Sequence, residues 1–250
     1  MKALILRLDA PLMSFGTVMV DHHGFVDRFP GTAMLVGMIG NALGWEHRDA
    51  DRLTALQNRL QYAARWDVAP EEVVDYQTVD LAQTKMEDPF WTTRGEVERR
   101  AGGSASKGIH QRYRHFWANG LMTVALSVDD DGVADLTAIG EALARPARPL
   151  FLGRKVCLPS RPVLDPHQAL RVGPDLLTIL CQIEVWDRTG TVVSDATPRE
   201  GCWPAHLSEF GLERAIYDLR DWSNQLMTGA RRRREGLVGR DRSGIALGGD

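Results

Sequence analysis

The sequence predicts an α+β fold, because two kinds of hydrophobic pattern follow one another along the first two-thirds of the chain. Strand-like stretches, alternating or rich in aliphatic residues, occur at residues 2–8, 62–68, 73–79 and 121–128, and a last core strand is expected near Leu150. Helical spacing occurs at residues 28–44, 51–60 and 135–144. Once residues 80–110 are set aside, the order is strand, helix, strand, strand, helix, strand, which is that of a ferredoxin-like or RRM domain.

The chain is expected to be organised around the helix within residues 28–44, RFPGTAMLVGMIGNALG. Its apolar residues recur in i, i+4 pairs, which predicts one stripe facing a core. Thr32 is expected to cap the first free amides, and Gly44 to end the helix in the left-handed conformation. Gly37 and Gly40 indicate close packing against another backbone. The N-terminal amides offer an anion site, although a well-capped core helix explains the same pattern.

The strands at residues 62–68 and 73–79 are separated by a short turn that contains Ala69 and Pro70, which predicts a hairpin. Residues 80–110 then lose any consistent buried face. A loop of this length is usually functional or disordered. Basic residues interleaved with Phe90 and Trp91 favour an arm that meets nucleic acid; simple disorder is the competing interpretation.

The patterns weaken after Pro166, where a strand is expected at residues 177–186 and a helix within residues 208–227. The Arg- and Gly-rich tail after Gly229 is expected to be mobile. We therefore divide the chain into a ferredoxin-like domain at residues 1–165, with an insertion at about 80–111, and a smaller, partly irregular C-terminal region at residues 166–250 with a basic tail.

Composition favours a cytoplasmic globular protein, since the sequence has neither a signal peptide nor an apolar run of the roughly 20 residues that a spanning helix needs. Cys157, Cys181 and Cys202 form no CxxC pair and are expected to be core thiols. HExxH, P-loop and GxSxG motifs do not occur, so no metal site and no cofactor are expected.

The net charge of −3 hides an uneven distribution. Residues 94–114, 145–161 and 231–242 carry net charges of +4, +5 and +4, which leaves −16 for the rest of the chain. Cations concentrated in three places on an acidic protein favour a polyanionic partner bound at a defined face. For residues 231–234 alone, a solvated surface run is the preferred interpretation.

The segment PLFLGRKVCLPSRP, residues 149–162, places Gly153, Arg154 and Lys155 directly after an apolar stretch. In an RRM-like order, this strand end would lie beside the end of the first strand and the loop that enters the first helix. The prediction is that five residues converge there: Ser14, Arg28, Thr32, Arg154 and Lys155.

Catalytic candidates exist but form no signature. Lys107, His110 and Tyr113 would suit metal-independent RNA cleavage, with the histidine as general base and the lysine opposite the developing phosphorane charge. Contact with an RNA backbone without any chemistry explains the same residues.

Five stretches together resemble the CasD family of type I-E CRISPR systems, the Cascade subunits that hold the 5′ end of CRISPR RNA. They are LILRLDAPLMSFG at 4–16, RFPGTAMLVGMIGNALG at 28–44, DYQTV at 75–79, RYRHFWANGLMTVAL at 112–126 and PLFLGRKVCLP at 149–159. One departure follows Pro30, where relatives often carry a Thr-Lys-Ser-Gly run and this chain has Gly31-Thr32-Ala33-Met34. Thr32 and the helix amides would then replace a lysine contact.

The resemblance implies a RAMP-type ferredoxin-like fold whose insertion at residues 80–111 is a protruding thumb. It further implies a non-catalytic, cytoplasmic subunit that binds the crRNA 5′ handle, contacts the Cascade backbone and large subunits, meets target DNA only indirectly, and has no membrane partner. Charge pattern and resemblance together select these candidate RNA-binding residues: Ser14, Arg28, Thr32, Arg94, Arg99, Arg100, Lys107, His110, Arg112, Arg114, Arg154, Lys155 and Arg161. Two alternatives stay open: a repeat-specific endoribonuclease, as in a related subtype, and a stand-alone RRM-like single-strand binder.

Overall fold

The protein is a mixed α+β molecule with four α-helices and large antiparallel sheets in the residues that the structure describes. The computed structural model describes residues 1–17, 19–80, 90–91, 97–98, 109–129, 132, 134–194 and 197–239. The helices are α1 (Thr32–Ala42), α2 (Ala50–Arg59), α3 (Leu136–Ala144) and α4 (Leu176–Gln182). The strands are β1 (Lys2–Asp9), β2 (Leu12–Met13), β3 (His23–Gly24), β4 (Leu60–Val68), β5 (Glu71–Asp80), β6 (Phe90–Trp91), β7 (Val97–Glu98), β8 (Ile109–Ala118), β9 (Leu121–Val128), β10 (Leu170–Val172), β11 (Val185–Trp186), β12 (Val192–Val193), β13 (Arg199–Pro204), β14 (Leu212–Asp221) and β15 (Leu226–Val238).

A seven-stranded sheet forms the centre of the molecule, with the strand order β10-β1-β9-β4-β13-β15-β14 and antiparallel neighbours throughout. Alternating residues of β1 supply two cores, as strand geometry requires. Leu4, Leu6 and Leu8 face α1, α2 and α3, whereas Ala3 and Ile5 face α4. Both faces of the central strands are therefore covered.

The predicted organising helix is confirmed as α1. It is followed by Gly44, whose φ of +77° is the left-handed conformation expected after the C-terminus. The close packing predicted at Gly40 is also present: a Cβ there would lie 2.6 Å from Leu53 Cδ2 of α2. A side chain at Gly37 would cause no overlap, since a Cβ there would lie 3.6 Å from Trp222, an ordinary contact distance.

The predicted hairpin between β4 and β5 is wrong. β4 is almost fully buried and pairs with β9 and β13 in the central sheet. β5 is exposed along its whole length and pairs with β8, from Glu71 opposite Ala118 to Asp80 opposite Ile109. β2 and β3 pair with the other edge of β8 to complete a second sheet. We call the β5–β8 pair the ribbon; it leads into and out of residues 81–108.

Predictions for the second half of the chain fail at four places. The segment near Leu150 is not a strand, because a turn closed by the Cys157 N–H and the Arg154 carbonyl interrupts it, and β10 pairs with β1 instead. The apolar run predicted as a strand at residues 177–186 begins as α4, since the Asp175 carboxylate caps it by accepting from the Thr178 amide.

The helix expected within residues 208–227 is strand β14, and the tail expected to be mobile after Gly229 is strand β15 as far as Val238. The two strands pair with register shifts that interrupt the alternation of side chains. These irregularities explain why the spacing of apolar residues resembled that of a helix. Residues 240–250 lie outside the described part of the chain.

The solvated run preferred for residues 231–234 is wrong for three of the four arginines, which are largely buried, and holds only for Arg232; carboxylates of the protein pair with all four. Arg231 pairs with Asp218, and both Arg232 and Arg234 pair with Glu213. Arg233 is buried and pairs with Asp27 and Glu235. In the described part of the third basic segment, Arg231, Arg233 and Arg234 are thus largely buried, and Arg232 alone is exposed.

A cluster of buried charges fastens α4 and β11 to the sheet. Arg7, Thr123 and Arg65 lie in register on neighbouring strands β1, β9 and β4, and the Asp67 carboxylate lies between them. Arg7 also bonds Asp165, with 2.7 Å between Nε and Oδ2. Burial, the largest single influence, raises the pKa of Asp165, but the Arg7 hydrogen bond and charge together with the His167 and Gln168 amides outweigh it and hold this pKa below its usual value.

All three cysteines are buried, as expected for core thiols. In the described part of the chain, no helix is both long and apolar enough to cross a membrane.

Candidate nucleic-acid interface

The predicted approach of residues 149–155 to the end of the first strand is present, although through a loop. The Ser14 amide donates to the Leu152 carbonyl at 2.9 Å. Gly153 has φ +100°, and a Cβ there would lie 1.8 Å from the Ser14 carbonyl oxygen. Only glycine fits this contact. Ser14 itself is 3% exposed, so its side chain is not available to a ligand.

Arg154 joins this loop to the second sheet. Its Nη1 donates to the His115 carbonyl and its Nη2 to the Gly24 carbonyl, both at 3.1 Å, and its guanidinium lies 4.8 Å from the centre of the Phe116 ring. Burial lowers the pKa of Arg154, and the nearby Arg114 cation lowers it further. Arg154 is therefore a structural cation, whereas Lys155 beside it is exposed.

Arg28 is held by contacts within the protein. Its side chain donates to Glu200 at 2.7 Å and lies over the rings of Trp117 and Trp66, at 4.8 and 5.4 Å. Arg161 is similarly engaged, with Asp9 at 2.7 Å and the Arg188 carbonyl at 2.8 Å. Neither arginine is a free cation in the described structure.

The expected anion site at the start of α1 is wrong. Gly31 rather than Thr32 occupies the N-cap, and Thr32 is 2% exposed. The Thr32 amide donates to the Asp218 carboxylate of β14 at 2.7 Å. A carboxylate of the protein thus already occupies the position where an anion would bind.

The even-numbered residues of β8 form a row of polar and cationic side chains on one face of the ribbon. His110 and Arg114 are exposed, and Arg112 between them donates to the Asp21 carbonyl at 3.5 Å. Arg154 lies over Phe116 on the same face. We call His110, Arg112, Arg114 and Arg154 the basic face. Of the candidate RNA-binding residues, these and the adjacent Lys155 are brought together.

Four candidates, Arg94, Arg99, Arg100 and Lys107, lie outside the described residues. Of the candidate catalytic set, His110 and Tyr113 are not brought together. They are three positions apart on one strand, so their side chains point to opposite faces of the ribbon. His110 lies edge-on to His22, with ring centres 6.1 Å apart, whereas Tyr113 stacks on His23.

Comparison with known proteins places this geometry in a family. The chain matches the family described as CRISPR-associated protein (Cas_Cas5) over residues 3–234. It belongs to this family.

Among curated relatives, the Cascade subunit CasD of Escherichia coli (strain K12) is 29% identical over 174 residues, which cover 67% of this chain and 75% of the relative. Two solved structures share the fold of this Cas_Cas5 member. A chain of a CRISPR RNA-guided surveillance complex is 22% identical with a TM-score of 0.67, covering 95% of this chain and 90% of the other. A Cas protein crystal structure is 24% identical with a TM-score of 0.60, covering 95% of both chains. The resemblance found in the sequence is confirmed.

The ribbon of this Cas_Cas5 member carries a second row that sequence reasoning missed. On the face opposite the basic face, Tyr76, Tyr113 and His23 lie in register on β5, β8 and β3. Their rings stack with centre distances of 4.9 and 4.7 Å, and His23 stacks in turn on Phe25 at 5.4 Å. We call these four residues the aromatic row. Alternation along residues 75–79 and 112–118 places each tyrosine on a strand face but gives no cross-strand register.

Proposed function

We propose that this chain is the RNA-binding subunit of a type I CRISPR surveillance complex, in which it binds the 5′ handle of the crRNA. The observation that carries the proposal is the family match over residues 3–234, together with a named Cascade subunit among the relatives. The basic face and the adjacent Lys155 support it, because arginine and lysine side chains are groups that bind RNA phosphates.

The same proposal gives the chain its partners. The insertion at residues 80–111, into which the ribbon leads, is the thumb, and it contacts the neighbouring backbone subunit of Cascade. The large subunit of Cascade binds this chain near the handle. The chain therefore contacts target DNA only indirectly, through the complex. The protein acts in the cytoplasm.

A ferredoxin-like, RAMP-type core suits this subunit. The four strands of such a domain would be, in chain order, β1, β4, β9 and β10. Their order across the sheet is β10-β1-β9-β4, so the fourth strand lies beside the first, followed by the third and the second. The division after residue 165 stays a proposal. It would leave the fourth strand, β10, in the C-terminal region, from which β13 to β15 also extend the central sheet.

A stand-alone RRM-like binder is the less favoured alternative. An RRM presents an open sheet face on which bases stack. In this chain α4 packs on that face of the central strands, through Leu176, Ile179 and Leu180 against Ile5. The RNA would have to bind elsewhere, and the ribbon is an exposed sheet that carries candidate RNA-binding residues.

Phosphate contact at the basic face predicts a defined salt effect. The plot of log K against log salt has a negative slope. Lys155→Ala and Arg114→Ala are each expected to reduce the magnitude of this slope by about 0.7 for single-stranded RNA, and the double variant should reduce it by about 1.4. Binding would be measured with RNA of the CRISPR repeat from the same genome, between about 50 and 200 mM salt. Arg48→Ala, which removes an exposed arginine outside the ribbon, is the control. Slopes equal to that of the wild type would contradict the proposal.

Arg154→Ala tests whether Arg154 stabilises the fold or contacts an RNA phosphate. It removes hydrogen bonds to two carbonyls, so we expect the free energy of unfolding to fall by about 1.5–3 kcal/mol. Lys155→Ala is expected to leave thermal stability unchanged. A stable Arg154→Ala protein with a lowered slope would make Arg154 a phosphate contact instead.

We expect the protein not to turn over RNA, because His110 and Tyr113 point to opposite faces of the ribbon. The measurement incubates excess repeat hairpin RNA with substoichiometric protein in EDTA and resolves the products on a gel. Discrete products that His110→Ala abolishes would replace the binding role with the endoribonuclease alternative.

A further inference from the structure

The aromatic row is a regular stack that crosses three strands. Tyr76 and Tyr113 are inclined by 29°, Tyr113 and His23 by 8°, and His23 and Phe25 by 11°. The centre distances, 4.7–5.4 Å, lie at the short end of the range for favourable aromatic pairs. Cross-strand register fixes the first three rings, since Tyr113 is the partner of both Tyr76 and His23.

Hydrogen bonds hold the inner part of the row in place. His115 is buried beneath it, and its Nδ1 lies 2.6 Å from the Glu72 carboxylate. His115 Nε2 lies 3.4 Å from His23 Nδ1, and the His115 ring also contacts Phe25 at 4.7 Å. The row is thus ordered before any ligand arrives, so binding on it costs little side-chain entropy.

Tyr76 is the end of the row with an open ring face. Tyr113 and His23 each have a stacked ring on both sides, and Phe25 has His23 on one side and His115 close by. Among the described residues, Tyr76 contacts only one other ring, that of Tyr113, and its hydroxyl makes no hydrogen bond. It is 51% exposed, compared with 39% for Phe25.

We propose that the open face of Tyr76 binds a nucleobase of single-stranded RNA, which extends the aromatic row by one ring. This inference rests on the proposed function and adds to it a site that reads a base instead of a phosphate. Unstacked RNA bases are recognised by stacking on aromatic side chains together with hydrogen bonds to their edges.

A nucleobase fits this face better than an apolar protein surface does. Polar groups that can bond a base edge surround the rings: Thr78 and Gln111 lie in register beside Tyr76 and Tyr113. The arginines of the basic face lie on the same strand, β8, so a chain that bends around the ribbon meets cations as well. Glu72, an acid on the same face of β5 as Tyr76, is hydrogen-bonded to His115.

The experiment measures the affinity and stacking of a single-stranded RNA of the repeat's 5′ part with 2-aminopurine placed at each position in turn. On the full-length wild type, we expect fluorescence quenching at one position. Tyr76→Ala should abolish that quenching and weaken binding between about 5-fold and about 100-fold, whereas Tyr76→Phe should retain both. The salt slope should stay the same, because no phosphate contact is lost. Tyr217→Ala is the control: this tyrosine is 70% exposed on β14, outside the ribbon.

The outcomes separate this site from the proposed function. If the wild type does not bind repeat RNA, the proposed function fails. If it binds with the expected salt slope but Tyr76→Ala binds and quenches like the wild type, the stacking site alone is overturned. Normal RNA binding by Tyr76→Ala combined with lost co-purification of the products of neighbouring open reading frames would overturn it in favour of a protein contact.

Discussion

Replacing Asp67 with alanine is expected to lower the free energy of unfolding by about 3–5 kcal/mol, the cost of breaking a buried ion pair by removing one partner. Asp67 is buried and accepts hydrogen bonds from Arg7 and Arg65, each at 2.8 Å. It also accepts from the Thr123 hydroxyl and the Trp186 amide. Without it, Arg7 would keep one carboxylate partner, Asp165, and Arg65 would keep only backbone carbonyls.

Urea unfolding of the variant and the wild type measures this loss. Asp51→Ala is the matched control, since Asp51 is an exposed aspartate in the first turn of α2 and is worth about 0.3–1 kcal/mol through the helix dipole. We also expect RNA binding to survive at low temperature, because the cluster lies away from the ribbon. A loss below about 1 kcal/mol for Asp67→Ala would contradict the assigned role of the cluster, since it would fall within the range of the surface control.

Local periodicity was sufficient to predict the first part of the fold. β1, α1, α2 and β9 each carry a complete pattern within one segment, and the left-handed Gly44 marks the end of α1. Such elements are specified by which of their own residues are apolar, so a single sequence reveals them.

The buried charge cluster could not be predicted in the same way. Arg7 and Asp165 are 158 positions apart, and a lone arginine in a strand is normally expected on the solvent side. The partners of the β15 arginines could not be predicted for the same reason. Their neutralising carboxylates, Glu213 and Asp218, are on the strand before, which was predicted to be a helix.

The candidate site was predicted in part. The close approach of Gly153 to Ser14 was anticipated from a glycine after an apolar stretch and an assumed domain order. The roles of individual cations were not, because Arg28 and Arg161 have partners at positions 200 and 9 that no local pattern indicates. The aromatic row depends on cross-strand register, with Tyr76 and Tyr113 on either side of the insertion.

Gly153→Ala is expected to lower the free energy of unfolding by about 2–5 kcal/mol, from backbone strain of about 1–2 and from overlap that forces neighbouring groups apart. The φ of +100° disfavours any side chain at Gly153. The overlap would be with the Ser14 carbonyl oxygen, 1.8 Å from the new Cβ, and a backbone atom cannot move aside as a flexible side chain would. The loop would have to shift, and Lys155 with it, so RNA affinity should fall as well.

Gly16→Ala is the control, for which no loss of stability is expected. Gly16 lies two residues from Ser14, which contacts Gly153. A Cβ at Gly16 meets nothing within 4 Å, and its φ lies outside the left-handed region. Alanine lowers the conformational entropy of the unfolded chain. The free energy of unfolding of this variant should therefore equal that of the wild type or exceed it by about 0.4–1 kcal/mol. Thermal unfolding and RNA affinity of both variants give the comparison. Equal stability of the two would mean that the loop of residues 150–157 tolerates displacement, and that its fit against Ser14 does not position Lys155.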